Sequence, residues 1–362
     1  MTQEQYQSWL CLKTAPKLSF RQCLELLNHY PEPTEFVGHK DHPLYHSGLV
    51  DAESSVYLQA GALPANFTQI QKLMQHYNIR ALNIHEYPAR LRDIYAAPLI
   101  LYYRGNPDCL QREKNLGVVG TRHPTAYGRE MCVKLISPLC RQKVNIISGL
   151  ALGVDSVAHH TALKEGTSTV AVMACGLENT YPPQNRDLAD RVIQNGILIS
   201  EYEPGTKPDR WNFPARNRII SALSELVFIV EGHIDSGALL TAKNALQQNR
   251  DVCAMPGNIN NRNAEGPNHL IKHGASLINC PEDLQLLMGL QTDKVPQIEL
   301  ECILSADEQL VCDLLKTEQK ALAFDEILVT TRFSVGRLST VLTNLELKGL
   351  LAKEGGSSFF LL

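Results

Sequence analysis

The chain is expected to fold as a Rossmann-like open, mostly parallel α/β sheet, flanked by a small helical N-terminal domain and a C-terminal winged-helix domain. Three observations carry this expectation. From about Asn115 onward, apolar runs alternate with helix-like segments: LGVVG, VNIIS, STVAVMAC, GILIS, LVFIV, DVCAMP and ASLIN. Runs that are apolar throughout suit strands covered on both faces, as a parallel sheet between two helical layers requires. Small or polar residues close these runs, and the texture changes at both ends of the chain.

Residues 1 to 85 mix short apolar periodicities (Trp9, Leu10, Leu12; Cys23, Leu24, Leu26, Leu27; Ile70, Leu73, Met74) with the loop signals PEPTEF and GALPANF. Short helices joined by tight connections follow, a sterile-alpha-motif-like or helix-hairpin-helix-like module, although the second helix of a true hairpin motif should follow a glycine-rich turn that is missing. Residues 86 to 291 form the sheet domain. Its strand ends deliver Gly120, Thr121 and Arg122 after the first run, then Ser148 and Gly149, Gly176, Ser200 and Glu201, Glu231 and Gly232, and Pro256 and Gly257. Ligands of open α/β sheets collect outside those carboxyl ends. Residues 292 to 304, with VPQIE, read as a linker. Residues 305 to 362 show three amphipathic helices (near Ala306 to Lys316, Phe324 to Thr330 and Ser334 to Lys348) and two short strands flanking Gly355 and Gly356, the order of a winged helix. In a duplex reader the third helix enters the major groove. Here it offers Arg337 and Lys348 but few other long cations, so a protein-interaction role or a structural cap stands beside duplex binding.

Composition sets limits. The 362 residues suit two or three domains, and the formal charge of -4 excludes a uniformly basic nucleic-acid coat. Local patterning differs: Gln111 to Lys143 holds seven Lys/Arg against two acids, a balance of +5, whereas Ser305 to Leu362 holds six against eight, a balance of -2. The ten cysteines form no CxxC pair and no zinc-spaced cluster, which reads as reduced thiols in the cytoplasm without a metal. The N-terminus lacks the pattern of an export signal, and no run of 18 apolar residues occurs, so neither export nor membrane insertion is expected.

Two glycine turns, GVVGTRHPTAYG and SGLALGVDSVAHHTAL, place backbone N–H groups where a helix start can hold an anion. Neither has the GxGxxG order of a dinucleotide site, and no GK[ST] occurs, so no nucleotide cofactor is expected. Arg122 strengthens the anion reading. His159 and His160 are adjacent, so they face different sides of a helix, and a solvated or satisfied pair is expected. Glu201 and Glu231 form a candidate carboxylate pair, but no nucleophile with a paired base accompanies them. The run FPARNRIISALS, Phe213 to Ser224, follows Lys207 and Arg210, so residues 204 to 218 hold four basic side chains against one acid. Two readings fit this run. Phe213 or Trp211 can stack a base while Arg216 and Arg218 hold phosphates; alternatively, Phe213 is a buried anchor and the arginines pair with carboxylates.

Eight blocks, in unbroken order over roughly residues 85 to 290, resemble the DNA-processing protein A family, DprA or Smf, of natural transformation: YPARLRDIYAAPLILYYRGN, GVVGTRHPTAYG, SGLALGVDSVAHHTAL, GLENTYPPQNRDL, ISEYEPG, FPARNRIISALS, SGALLTA and MPGN. The flanks resemble the family's helical domain and winged helix less distinctly. The resemblance implies a non-enzymatic cytoplasmic protein that binds incoming single-stranded DNA, shields it, helps load the RecA recombinase and dimerises through its Rossmann-like core. It places DNA contacts on the Gly120, Thr121, Arg122 turn, on Ser148 and Gly149, and on Arg210, Phe213, Arg216, Asn217 and Arg218. Where many relatives carry a lysine near that phenylalanine, this chain has Arg210 and, farther off, Lys207, which leaves open which one contacts DNA. The alternative is a nucleotide phosphoribohydrolase of the lysine-decarboxylase-like group. Its PGGxGTxxE signature is missing, and EGHIDSGALLTA has neither the paired glycines nor the glutamate.

Overall fold

The computed structural model describes residues 1–291, 304–318, 321–348, 350–354 and 358–361. The chain divides into two compact units, Met1–Thr292 and Asp293–Leu362. The linker expected over 292 to 304 lies outside the described residues except for Leu304.

The first unit opens with α1 (Gln3–Thr14), α2 (Phe20–His29), α3 (Ala52–Gln59) and α4 (Phe67–His76). Thr2 and Ser19 start the first two helices as capping boxes, each accepting from the N3 amide while a glutamine side chain returns to the cap. This segment buries Trp9, Leu10 and Leu26 of the helices, and Phe36 of the loop after α2, in the same apolar cluster as Tyr102, Val172 and Ile199 of the sheet. Tyr6 and Tyr102 join hydroxyls across that boundary at 3.2 Å.

The sheet has nine strands: β1 (Arg80–Asn83), β2 (Ile100–Gly105), β3 (Asn115–Val119), β4 (Asn145–Ser148), β5 (Thr169–Val172), β6 (Ile197–Ser200), β7 (Leu226–Ile229), β8 (Asp251–Ala254) and β9 (Ser276–Leu277). Their order is β1-β2-β6-β5-β4-β3-β7-β8-β9. Pairing is parallel from β6 through to β9 and antiparallel at β1-β2 and β2-β6. All seven apolar runs singled out in the sequence are strands of the parallel part. The antiparallel pair was missed: Pro98 precedes β2, and β1 is four residues with only one neighbouring strand.

Between the strands run α5 (Ala89–Arg92), α6 (Ala126–Arg141), α7 (Val154–Lys164), α8 (Arg186–Asn195), α9 (Asn212–Leu223), α10 (Gly237–Gln247), α11 (Glu265–Lys272) and α12 (Pro281–Leu287). The central strands β3 to β7 are buried along their whole length between these helices. Among the described residues, no helix is long and apolar enough to cross a membrane.

The second unit contains α13 (Ala306–Glu318), β10 (Leu322–Ala323), α14 (Phe324–Thr331), α15 (Val335–Leu347), β11 (Leu351–Glu354) and β12 (Ser358–Leu361), with strand order β10-β12-β11. Val311, Ile327, Leu338, Leu342 and Phe359 form its own core. This is a winged helix with the three helices and two wing strands expected, plus the short β10 that the sequence reading did not single out.

Candidate nucleic-acid interface at the sheet switch point

From β3 the chain builds outward through β4, β5 and β6, then returns to the other side of β3 to form β7, β8 and β9. The connections after β3 and β7 therefore diverge, opening a crevice at the carboxyl ends of two adjacent strands. A cavity of about 360 Å³ lies there, lined by the Gly120–His123 turn, the α9 face and the start of α10. A second hollow of about 220 Å³ adjoins Gly149 and Tyr181, and both are lined by Arg122 and Phe213.

The turn after β3 is held from three sides. The Thr121 amide donates to the Glu231 carbonyl at 2.7 Å, and the Thr121 carbonyl accepts from Val154 N–H at 3.2 Å, so the ends of β3, β7 and α7 are tied together. Two glycines permit this approach. A Cβ on Gly120 would lie 2.5 Å from Val154 Cγ2, and one on Gly153, whose φ is +82°, would lie 2.4 Å from the Thr121 carbonyl oxygen. Arg122 projects from this fixed turn into solvent. Its guanidinium sits over the Phe213 ring at 5.4 Å, a cation–π arrangement. Among the described residues it has no carboxylate partner and no hydrogen bond.

The helix α9 presents Phe213, Arg216, Asn217 and Ile220 to the cavity, positions i, i+3, i+4 and i+7 of one face. Phe213 packs at 5.6 Å from the ring of Tyr181. Arg216 is different in kind from Arg122: it is 5 % exposed, and its Nη1 donates to the carbonyls of Gly149, at 2.7 Å, and Val172. Its Nε donates to Asn217 Oδ1 at 3.2 Å. Burial lowers the Arg216 pKa, and the nearby Asp155 charge opposes that shift. Arg216 therefore braces the floor of the site from beneath. The residue expected as a phosphate ligand thus lines the cavity while its guanidinium is bonded to the main chain beneath it.

Arg218 is not brought to the cavity. It lies on another face of α9, where Nη2 donates to Glu201 Oε2 at 2.6 Å and to the Ala96 carbonyl at 2.8 Å. This is the carboxylate pairing left open as an alternative. Ser148 is also withdrawn: it is fully buried, and its hydroxyl donates to the Val118 carbonyl at 2.7 Å. Gly149 reaches the smaller hollow, where a Cβ would lie 2.4 Å from Arg216 Nη2. Lys207 and Arg210 are exposed on the approach to α9 and line neither hollow. Arg210 instead stacks over Trp211 at 4.8 Å, and that indole is 70 % exposed.

Two helix starts point their amide ends at the crevice, but they are not equivalent. At α7 the buried Asp155 already accepts from the amides of Gly149, at 3.1 Å, and Ala151, at 3.3 Å. Burial raises its pKa, against the opposing pull of Arg216. At α10 the cap residue Ser236 makes no capping bond, and its buried hydroxyl has no hydrogen-bond partner among the described residues. Among the described residues no carboxylate bonds the amides of the second start, the arrangement that suits an anion. The Ser236–Gly237 pair was noted in the sequence as a helix start. Its position opposite Arg122 was not readable, because it depends on β7 lying beside β3.

The candidate carboxylate pair dissolves. Glu231 is 2 % exposed and accepts from Thr125 N–H at 2.8 Å and Thr125 Oγ1 at 2.6 Å, anchoring the start of α6. Glu201 belongs to Arg218. The histidines also separate as expected: His159 is buried with Nδ1 2.7 Å from Thr169 Oγ1, whereas His160 is exposed with Nδ1 3.3 Å from Arg191 Nη1. Burial depresses the His159 pKa to about 3. Among the described residues no cluster of three or more metal-ligating side chains occurs.

In the winged helix the two candidate groove-reading cations are engaged within the unit. Arg337 donates to Asp307 through Nε at 2.7 Å and Nη2 at 2.6 Å, and Lys348 pairs with Glu308 at 2.7 Å.

Fold and site together define a Rossmann-like α/β protein with a polyanion-suited switch-point crevice and an appended winged helix. Residues 78–288 match the family described as DNA recombination-mediator protein A, and residues 296–357 match its winged helix domain. The chain belongs to this family. It is 42 % identical over 210 residues to the Bacillus subtilis DNA processing protein DprA, covering 58 % of this chain and 71 % of that one. It is 35 % identical over 309 residues to protein Smf of Synechocystis, covering 76 % and 77 %. The solved DNA processing protein A of Streptococcus pneumoniae matches with a TM-score of 0.67 and 31 % identity over 79 % of this chain and 98 % of that chain. The Helicobacter pylori protein, described for its single-stranded DNA binding mode, matches with a TM-score of 0.55 and 30 % identity over 60 % and 99 %.

Proposed function

We propose that this chain binds single-stranded DNA without regard to sequence in the crevice between β3 and β7, protects incoming DNA during natural transformation, and helps load the RecA recombinase on it. One observation carries the reading. Among the described residues Arg122 is a cation without a carboxylate, held over an aromatic ring on a glycine turn, in the same cavity as a helix start whose cap residue Ser236 makes no capping bond. Such a site takes a phosphate on the cation and the helix amides and leaves Phe213 and Tyr181 to pack a base. None of these contacts reads a base edge, which suits DNA of arbitrary origin. The DNA binding described for the H. pylori relative supports the same chemistry here.

In this reading Gly120, Thr121, Arg122, Gly149, Phe213 and Asn217 form the site, Arg216 positions it, and Lys207 and Arg210 steer the strand toward it. The protein works by binding in the cytoplasm, not by catalysis, and dimerises through the sheet domain. The division into a helical segment 1 to 85, a core 86 to 291 and a winged helix 305 to 362 is part of the proposal. Glu231, spent on Thr125, supports the non-enzymatic reading over a phosphoribohydrolase.

Mobility-shift titration with single-stranded and duplex oligonucleotides across salt tests the binding. Preference for the single strand is expected, with a negative salt slope, and Arg122→Ala should reduce that slope by about 0.7 for one lost phosphate contact. Equal affinity of Arg122→Ala and the parent at all salts would overturn the site. RecA loading is tested by strand exchange on protein-coated single strands, with stimulation expected from the full chain.

A further inference from the structure

Beyond the switch-point crevice lies a separate hollow of about 390 Å³, over the carboxyl ends of β7 and β8. We propose that it is a base-binding site, taking an uncharged nucleobase of the same strand whose phosphate sits at Arg122. The inference rests on the single-strand reading above and adds to it a second station on the path of the strand.

The chemistry of the lining selects the occupant. Met255 and Pro256 give apolar walls, and Tyr127, in the first turn of α6, stands 52 % exposed at the rim. Asn258 and Asn261 also line it, and the side-chain oxygen of each is taken by the backbone two residues on: Asn258 Oδ1 by Asn260 N–H at 3.0 Å, and Asn261 Oδ1 by Asn263 N–H at 3.0 Å. The amino ends of both amides have no partner among the described residues, so they offer donors to a ring carbonyl. The charged group in the lining is the buried carboxylate of Glu231, which disfavours a phosphate and favours a neutral ring. Aromatic rim, apolar walls, free amide donors and negative floor together describe a base and not a backbone.

The floor is rigid. Asn268 clamps Gly257 through both its N–H, at 3.1 Å, and its carbonyl, at 2.9 Å. The two stations are also mechanically joined, since Asn263 Nδ2 donates to the His123 carbonyl at 3.0 Å, next to Arg122. Tyr127 follows Arg122 along the chain, in the first turn of α6.

The full chain is titrated by fluorescence anisotropy with an oligothymidylate and with the same oligonucleotide carrying one abasic residue at successive positions. Tyr127→Ala should weaken binding about 5- to 150-fold, the loss of one stacked base, with the salt slope unchanged. Tyr127→Phe, which keeps the ring, should bind like the parent. An abasic residue at the matching position should cost the parent the same factor and Tyr127→Ala nothing. Unchanged affinity of Tyr127→Ala, or equal abasic losses in both proteins, would overturn the base site. If Arg122→Ala still lowers affinity and slope in that case, the single-strand reading survives; if Arg122→Ala is also silent, that reading falls first.

Discussion

Replacing Arg216 by methionine separates a strut from a DNA ligand. The substitution leaves the carbonyls of Gly149 and Val172 without their donor, and Asn217 Oδ1 without the Nε–H. Each buried acceptor left unmatched costs about 1–3 kcal/mol. Against this, methionine removes a guanidinium whose lowered pKa reflects the cost of burying its charge. A net destabilisation of about 2–4 kcal/mol follows, and at about 2 °C per kcal/mol the unfolding midpoint drops by roughly 4–8 °C. Thermal unfolding measures this, and salt-dependent titration with a single-stranded oligonucleotide measures the other half. A strut holds the turn without meeting a phosphate, so affinity falls through disorder of the site while the salt slope stays at the parent value. An unfolding midpoint within 1 °C of the parent, together with a slope reduced by about 0.7, would refute the strut and restore Arg216 as a phosphate ligand.

Three further outcomes are expected. Gly153→Ala places a Cβ 2.4 Å from the Thr121 carbonyl in a backbone with φ +82°, so the turn carrying Arg122 must shift; stability should fall by about 1–3 kcal/mol and single-strand affinity with it, read by urea unfolding and anisotropy. Glu201→Gln leaves Arg218 without its carboxylate in a site about one-fifth exposed, which should lower stability by about 1–3 kcal/mol while single-strand affinity and salt slope remain those of the parent. For His159, burial lowers the folded pKa from 6.5 to about 3, so the unfolded chain binds the extra proton between those values and stability is lost as pH falls from 6.5 toward 3. At pH 5 this amounts to about 2 kcal/mol, so the urea midpoint should drop between pH 7 and pH 5 in the parent and drop less in His159→Asn.

The parallel part of the sheet was legible because burial on both faces leaves a local signature. A strand such as Leu226–Ile229 can be apolar at every position only if both sides are covered, and that pattern needs no knowledge of its neighbours. The antiparallel edge left no such mark. The four residues of Arg80–Asn83 grade from exposed to buried, and only their pairing with Ile100–Gly105 makes them a strand. Likewise the helices of residues 1 to 85 announced themselves by apolar period, whereas their Thr2 and Ser19 caps came only with the structure. Their merger with the sheet through Tyr6 and Tyr102 depends on contacts 96 residues apart, which no local pattern encodes.

At the site, the residue types were legible and their roles were not. FPARNR promised two phosphate-binding arginines, yet in a helix of 3.6 residues per turn positions 216 and 218 stand about 200° apart, so no single cavity receives both. That exclusion was available from the sequence once the helix was accepted. Which of the two faces inward was not, since it is decided by the carbonyl of Gly149, 67 residues earlier, and by Glu201, 17 residues earlier. The same reasoning explains why Arg122 keeps its charge available. It sits on a turn whose backbone bonds are consumed by Glu231 and Val154, so the turn is fixed without using the side chain, whereas both helix arginines are consumed in fixing α9. The exposed cation and the structural cations are thus separated by who holds the backbone: where glycines and main-chain bonds build the turn, the arginine side chain is left without a carboxylate among the described residues.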